Sequence, residues 1–201
     1  MLMFDLNGYR VLVTASTRGI GRGIAKVLLM NGAKVVINGR SDESVSRAVN
    51  ELKDYGEVYG VKADLTVHDD VVKLVNKAVE LLGGLDSLVY VTGPPRPGYF
   101  SELSLSDWEY GVKLLIMSAI WVTYYALPYL KKSDKPSIVY STSIAVKEPV
   151  PNIALSDTLR ISIHGLVKTL SRELGPQGIR VNAVLPGYIM TDRVKQLVKD
   201  R

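Results

Sequence analysis

The chain has 201 residues, no cysteine, two histidines and a formal charge of +5 at pH 7. That length supports a full core without staples, and the residue counts exclude disulfides and thiolate chemistry and speak against a metal centre. With 47% apolar and 22% charged residues the chain reads as folded, and its basic residues are too dispersed to mark a nucleic-acid surface.

The first residues, MLMFDLNGYR, lack the basic region and apolar run of a signal peptide. No stretch reaches the ~18 uncharged apolar residues of a membrane span. Leu114 to Leu130 comes nearest, and it carries Tyr124, Tyr125 and Pro128. The expectation is a cytoplasmic protein with no membrane partner.

Arg10–Thr14 (RVLVT) predicts a first strand. The next helix places Ile20, Ile24, Val27 and Leu28 on one face and closes at Asn31-Gly32. Lys34–Asn38 (KVVIN) and Val58–Lys62 predict the second and third strands. His68, Asp69 and Asp70 open a helix with Val71, Leu74, Val75, Ala78 and Leu82 on one face, stopped by Gly83-Gly84. Ser87–Val91 (SLVYV) predicts the fourth strand. Ser106 or Asp107 is placed to cap a long helix toward Leu130. Ser137–Tyr140 (SIVY) predicts the fifth strand, and Arg180–Leu185 (RVNAVL) the sixth. Between them Leu155, Leu159, Leu166, Leu170 and Leu174 stripe a helix that ends at Gly175-Pro176.

Most of these strands are continuously apolar, as parallel strands buried on both faces are. The repeated β–α alternation predicts an α/β fold, a Rossmann-like doubly wound parallel sheet in three αβα layers. Such sheets bind ligands at the carboxyl ends of their strands. After the first strand comes Thr14-Ala15-Ser16-Thr17-Arg18-Gly19-Ile20-Gly21. A strand enters this turn and a helix leaves it. Gly19 and Gly21 would let backbone approach a pyrophosphate at the helix N-terminus.

This segment resembles the T-G-x-x-x-G-x-G turn of the short-chain dehydrogenase/reductase family. Ala15 stands at the first glycine, a change that is easy if the position needs no positive φ. The resemblance continues over nearly the whole chain. Asp64-Leu65 resembles the family's adenine-contacting pair. Thr92-Gly93 fills the end of the N-N-A-G slot. Gly178 to Gly187 (GIRVNAVLPG) is similar to the sixth strand and P-G turn, with Pro186, Gly187 and Ile189 beside the cofactor. Thr191 resembles the residue that meets the nicotinamide carboxamide. The resemblance implies a nicotinamide cofactor, a small carbonyl or alcohol substrate, and a homodimer or homotetramer.

In NAD-binding members an acid after the second strand holds the ribose 2′-hydroxyl. Here the segment is Asn38-Gly39-Arg40-Ser41, and Gly39 falls where that acid would be. Arg40 and Arg18 suit a 2′-phosphate, which guanidinium groups bind bidentately. With Ser41 beside them, they point to NADP(H).

Most members catalyse with Ser, Tyr and Lys, often with an Asn. The Tyr and Lys share a helix face at i and i+4. The lysine lowers a tyrosine pKa of ~10 so that the phenol can exchange a proton. Alignment through Gly165 and the Ser-Ile-Val-Tyr strand places Ser143 on the serine, Ser156 on the tyrosine, Arg160 on the lysine and Leu115 on the asparagine. Tyr90 replaces the first Asn of N-N-A-G. No Y-x-x-x-K occurs in the chain. The chain resembles a divergent branch with Ser-x-x-x-Arg here, similar to oxoacyl-carrier-protein reductases. It shares with that branch Gly93-Pro94-Pro95 and Arg193.

The resemblance therefore implies a catalytic set of Ser143, Ser156 and Arg160 with no assigned proton donor. A serine ionises far above neutrality, and an arginine keeps its proton. Tyr90, Tyr140 and Tyr188 lie at or just after strand ends, and Lys147 lies four residues past Ser143. Each is a candidate donor, against packing or a solvated loop charge. His164 follows Arg160 by four residues, as a relay or a satisfied interface histidine. Pro94 to Gly98 forms a rigid pocket wall, in which Arg96 is a candidate anion contact. Trp108 and Trp121 read as core or interface anchors. The Leu114–Leu130 and Leu155–Leu174 faces form either a dimer interface or internal packing.

The expected organisation is a single NADP(H)-binding domain over 1–201. Residues 190–201 start a substrate lid, and the family's C-terminal part is missing. The expected function is NADP(H)-dependent reduction of a carbonyl, or oxidation of a secondary alcohol. The alternative is a catalytically inactive NADP(H)-binding sensor or scaffold.

Overall fold

A computed structural model describes residues 4–190. The strands are β1 (Arg10–Val13), β2 (Lys34–Gly39), β3 (Val58–Lys62), β4 (Ser87–Tyr90), β5 (Ser137–Ser141) and β6 (Arg180–Val184). They form one parallel sheet in the order β3-β2-β1-β4-β5-β6. The helices are α1 (Gly19–Met30), α2 (Asp42–Leu52), α3 (His68–Leu82), α4 (Leu105–Val112), α5 (Ser118–Leu130), α6 (Ala154–Leu159) and α7 (Ile161–Leu174). This is the doubly wound Rossmann-like arrangement. The strand order reverses between β1 and β4, which opens a crevice at their carboxyl ends.

Side-chain alternation divides the core into two layers. Leu12, Val36, Leu88, Tyr90, Ile138, Tyr140 and Val181 pack against α3, α5 and α7. Val11, Val13, Val35, Ile37, Val89 and Val91 pack against α1 and α2. The predicted stripe of α3, from Val71 to Leu82, is buried in full. Gly83, at φ +69, ends that helix in the left-handed region.

Several expectations are corrected. On α1 the buried residues are Gly21, Ala25 and Leu29, while Val27 is 53% exposed. The helix starts so close to the β1 turn that its sheet-facing stripe begins with the smallest residues. Helix α2 answers to no predicted stripe. The edge strands β3 and β6 are only partly buried, because an edge strand is covered unevenly. Ser104, and neither Ser106 nor Asp107, caps α4. Its hydroxyl accepts the Asp107 N–H at 3.2 Å, while the Asp107 carboxylate accepts the Ser104 N–H at 2.9 Å.

Helices α4 and α5 join through a π turn, Lys113–Met117. The whole run Leu105–Leu130 is 26 residues with a mean hydropathy of 1.3 in its most apolar window, so it does reach the length and apolarity of a span. Its buried residues face α3, α6 and the sheet, as those of a core helix do. The leucine-striped helix is also two helices, α6 and α7, which meet at Arg160.

Candidate active site

The glycine turn is built by buried hydroxyls. The Thr14 hydroxyl donates to the Val91 carbonyl at 2.6 Å and accepts the Val91 N–H at 2.8 Å. This staples β1 to β4 across the crevice, so the Thr14 side chain is spent on the fold. Ser16 donates to the Val13 carbonyl at 2.6 Å and accepts the Asn38 N–H at 3.0 Å. Ala15 stands at φ +43, so the condition under which alanine would be easy at this position, no positive φ, is not met. Gly19 has φ +56. A Cβ on Gly21 would meet the Ala15 carbonyl at 2.6 Å, which is why the turn and α1 approach this closely.

The N-terminus of α1 is open to an anion. Arg18 stands at its cap without a side-chain capping bond, and the first turn, which includes Ile20, holds no acid. The helix dipole and free N–H groups therefore go uncompensated there.

Asn38 is the residue that sequence reasoning passed over. Its side-chain oxygen accepts the Ala15 N–H at 3.1 Å. Its amide donates to the carbonyls of Ala63 at 3.1 Å and Val61 at 3.3 Å. One buried amide thus joins the ends of β1, β2 and β3. The available signal was an amide inside an apolar strand, just before the glycine that replaces the usual acid.

Gly39 leaves no room for a Cβ unless the Thr17 side chain shifts, since that Cβ would lie 2.5 Å from Thr17 Cγ2. Arg40 and Arg18 are exposed, and neither enters an ion pair among the described residues. Ser41 caps α2, accepting the Ser44 N–H at 3.3 Å. At the end of β3 the Asp64 carboxylate accepts the Thr66 N–H at 2.9 Å and hydroxyl at 2.8 Å, and Leu65 is buried.

The far side of the crevice departs most from the usual pattern. The π turn frees the Leu114 carbonyl from the regular helix ladder, and three hydroxyls converge on it. Ser118 donates at 2.6 Å, Thr92 at 3.1 Å and Tyr90 at 3.2 Å. Leu115 is buried in the same turn. Gly93 faces open space at its Cα.

Tyr90 and Tyr140 are core residues with ring centroids 5.8 Å apart. Burial raises both phenol pKa values. The Tyr140 hydroxyl shares a 2.6 Å bond with Thr123. Neither phenol is poised to exchange a proton. Tyr188 is 68% exposed, and Lys147 is exposed on the turn after Ser143.

The Ser143 hydroxyl accepts the Ala145 N–H at 3.1 Å, which leaves its proton available. The Ile144 N–H donates to the Pro186 carbonyl at 3.0 Å and so ties this turn to the segment of Gly187 and Ile189. Helix α6, which carries Ser156, packs against the same turn and against α4. Ser156 is buried. Arg160 is half-buried, and burial pushes its pKa down.

His164 Nε2 lies 3.0 Å from the Thr142 hydroxyl. Burial, with Lys147 and Lys168 nearby, lowers its pKa. Arg96 is not a free anion contact, because it pairs with Asp107 at 2.6 Å. The wall loop is fixed by Gly98, whose N–H donates to the Asn152 carbonyl at 2.9 Å. Trp108 packs beside Leu114, Leu155 and Leu159, and Trp121 against the main core. Thr191, Arg193 and the lid expected from 190 onward lie outside the described residues, apart from exposed Met190.

Known proteins agree with this architecture. The short chain dehydrogenase family matches residues 9–201. The 3-oxoacyl-acyl-carrier-protein reductase of Aquifex aeolicus is 34% identical over 197 residues, which cover 97% of this chain and 79% of that protein. Human dehydrogenase/reductase SDR family member 4 is 34% identical over 192 residues, covering 94% and 69%. Among solved structures, an L-sorbose reductase from Gluconobacter frateurii complexed with NADPH and L-sorbose has TM-score 0.91 and 26% identity, covering 100% of this chain and 78% of that one. A short chain oxidoreductase from Pseudomonas aeruginosa containing an atypical catalytic center has TM-score 0.92 and 25% identity, covering 98% and 77%. The β1 turn, the strand order and these likenesses place the chain in the short chain dehydrogenase family, a family of oxidoreductases.

Proposed function

We propose that this chain is an NADP(H)-dependent oxidoreductase that reduces a carbonyl, or oxidises the matching secondary alcohol, with an atypical catalytic set. The observation that carries the cofactor choice is Gly39. An acid there would have to displace Thr17, while Arg18 and Arg40 enter no ion pair among the described residues. The residues present therefore fit a 2′-phosphate and leave no carboxylate to repel it.

When bound, the cofactor supplies or accepts a hydride at the substrate carbon. The turn from Thr14 to Gly21 and the α1 N-terminus hold its pyrophosphate. Arg18, Arg40 and Ser41 take the 2′-phosphate end. Asp64 and Leu65 flank the adenine. Thr92, Gly93, Pro186, Gly187, Ile189 and Thr191 border the nicotinamide half. Ser143 donates its hydroxyl to the substrate oxygen, and Ser156 and Arg160 organise substrate and ribose. None of these three donors loses its proton near neutrality. The set holds the substrate oxygen and leaves the proton of a reduction to solvent. The Pseudomonas aeruginosa relative, with its atypical catalytic center, supports a working site that departs from the usual residues.

A second reading is a sensor or scaffold that binds NADP(H) without turnover. The burial of Tyr90 and Tyr140 favours it, since both phenols are held in the core by hydrogen bonds to Ser118 and Thr123. A homodimer or homotetramer belongs to both readings, supported by exposed Ile120, Tyr124 and Ile161 on α5 and α7. A cytoplasmic location and a small-molecule substrate complete the proposal.

The test is titration with NADPH and NADH, followed by cofactor fluorescence, then turnover on ketones, aldehydes and 3-oxoacyl thioesters. NADPH should bind at least about tenfold more tightly than NADH. Equal affinities would remove the cofactor assignment. Turnover lost in Ser143→Ala supports the oxidoreductase, and tight NADPH binding without turnover supports the sensor.

A further inference from the structure

Tyr90 and Tyr140 stand directly across from each other in the register of β4 and β5. Each sends its phenol to a buried hydroxyl of α5. Tyr140 meets Thr123 and Tyr90 meets Ser118, both at 2.6 Å. The two pairs are alike in length and burial. They differ in what lies beyond the helix hydroxyl. The Tyr140 pair ties the helix to the sheet and goes no further among the described residues.

The Tyr90 pair continues. Ser118 gives its one proton to the Leu114 carbonyl at 2.6 Å, so the phenol is the donor in the Tyr90–Ser118 bond. A chain of donors therefore runs from Tyr90 through Ser118 to a carbonyl of the π turn, and donors in series strengthen one another. Thr92, two residues after Tyr90, donates to the same carbonyl at 3.1 Å. Two side chains from the carboxyl end of β4 are thus tied to one carbonyl, one directly and one through Ser118.

Tyr90 and Ser118 are shut off from solvent, at 2% and 0% exposure, whereas Thr92 is half-buried. Having spent its proton on Leu114, the Thr92 hydroxyl has only lone pairs left to offer. It is an acceptor, suited to a ribose hydroxyl or a carboxamide N–H. The Leu114 turn sets where that acceptor sits, and Tyr90 and Ser118 hold the turn.

We propose that Tyr90, acting through Ser118, is a positioning residue for the nicotinamide half of the cofactor. Tyr90 touches no cofactor itself. It keeps the π turn against the end of β4, so that the Thr92 oxygen stays in place as an acceptor. This rests on the reading of the chain as an NADP(H)-binding oxidoreductase, and it adds a residue to that site.

The experiment compares NADPH with adenosine 2′,5′-bisphosphate, which keeps the 2′-phosphate end and lacks the nicotinamide half. Both are titrated by calorimetry against the full chain and its variants. Tyr90→Phe keeps the ring and removes the donor. It should weaken NADPH by about threefold to tenfold, as one hydrogen bond allows, and leave the bisphosphate within about twofold. Ser118→Ala breaks the same chain one link on and should split the two ligands in the same direction, which serves if Tyr90→Phe does not fold. Tyr140→Phe removes the matching pair on the same helix and should leave both ligands within about twofold. A merely structural tyrosine would weaken both ligands together or neither, and either result overturns this inference while leaving the cofactor reading intact. So does the same split in Tyr140→Phe. A wild type that binds NADH and AMP instead overturns the choice of NADP(H), and the split read with that pair upholds the positioning role. A wild type that binds no nicotinamide nucleotide overturns both.

Discussion

The Asn38 side-chain oxygen accepts the Ala15 N–H at 3.1 Å, across a buried junction of β1 and β2. The same amide donates to Ala63 and Val61 at the end of β3. Replacing it by alanine leaves buried backbone groups unpaired, at about 1–3 kcal/mol. Asn38→Ala is expected to lower stability by that amount in urea unfolding and to weaken NADPH binding through the displaced turn. An unchanged urea midpoint would show that Asn38 does not hold this junction.

Ala15 holds φ +43, a region where a Cβ is strained. Ala15→Gly should therefore stabilise the chain by up to about 1 kcal/mol, the strain relief exceeding the added freedom of the unfolded chain. Thermal unfolding measures it. A lower melting temperature would mean that the alanine is not strained.

Gly39 and Thr17 couple through close contact, with 2.5 Å between a Cβ at 39 and Thr17 Cγ2. Gly39→Asp alone should cost about 1–3 kcal/mol of stability by overpacking, and should weaken NADPH binding by repulsion. Adding Thr17→Gly should recover part of that stability and let the carboxylate serve NADH. The two changes should be non-additive by more than about 0.5 kcal/mol. Simple additivity in unfolding and in NADH affinity would contradict a closed position.

Asp86 anchors the opposite, amino-terminal end of the sheet. Burial raises its pKa, but Arg10, Ser133 and the Arg10 N–H outweigh burial and hold the carboxyl at about 2, against an ordinary 3.8. The folded value lies below the unfolded one. The stabilisation is therefore present above about pH 4 and fades as pH falls toward 2. That difference corresponds to about 2 kcal/mol. Asp86→Asn should lose about that much at pH 7, and its stability should fall less steeply between pH 4 and 2. Parallel acid profiles for the two proteins would exclude this pair as a source of acid sensitivity.

Much of the fold and part of the site are written in short stretches of sequence. The α3 stripe from Val71 to Leu82, the glycine turn and the missing acid at Gly39 each depend on residues a few positions apart, so local pattern reveals them. The absence of a Tyr-Lys pair at helical spacing is equally local. Only the tertiary structure decided the strain at Ala15, the three-strand junction at Asn38 and the convergence of Tyr90, Thr92 and Ser118 on the Leu114 carbonyl. It also decided that Tyr90 and Tyr140 are core and that Arg96 is paired with Asp107. The physical reason is that these states depend on partners brought together by chain crossings, such as Ala15 with Asn38 at 23 residues' separation and Tyr90 with Leu114 at 24. Burial and pairing of polar groups are set by what the fold places beside them, and a linear pattern holds the residues without holding that juxtaposition.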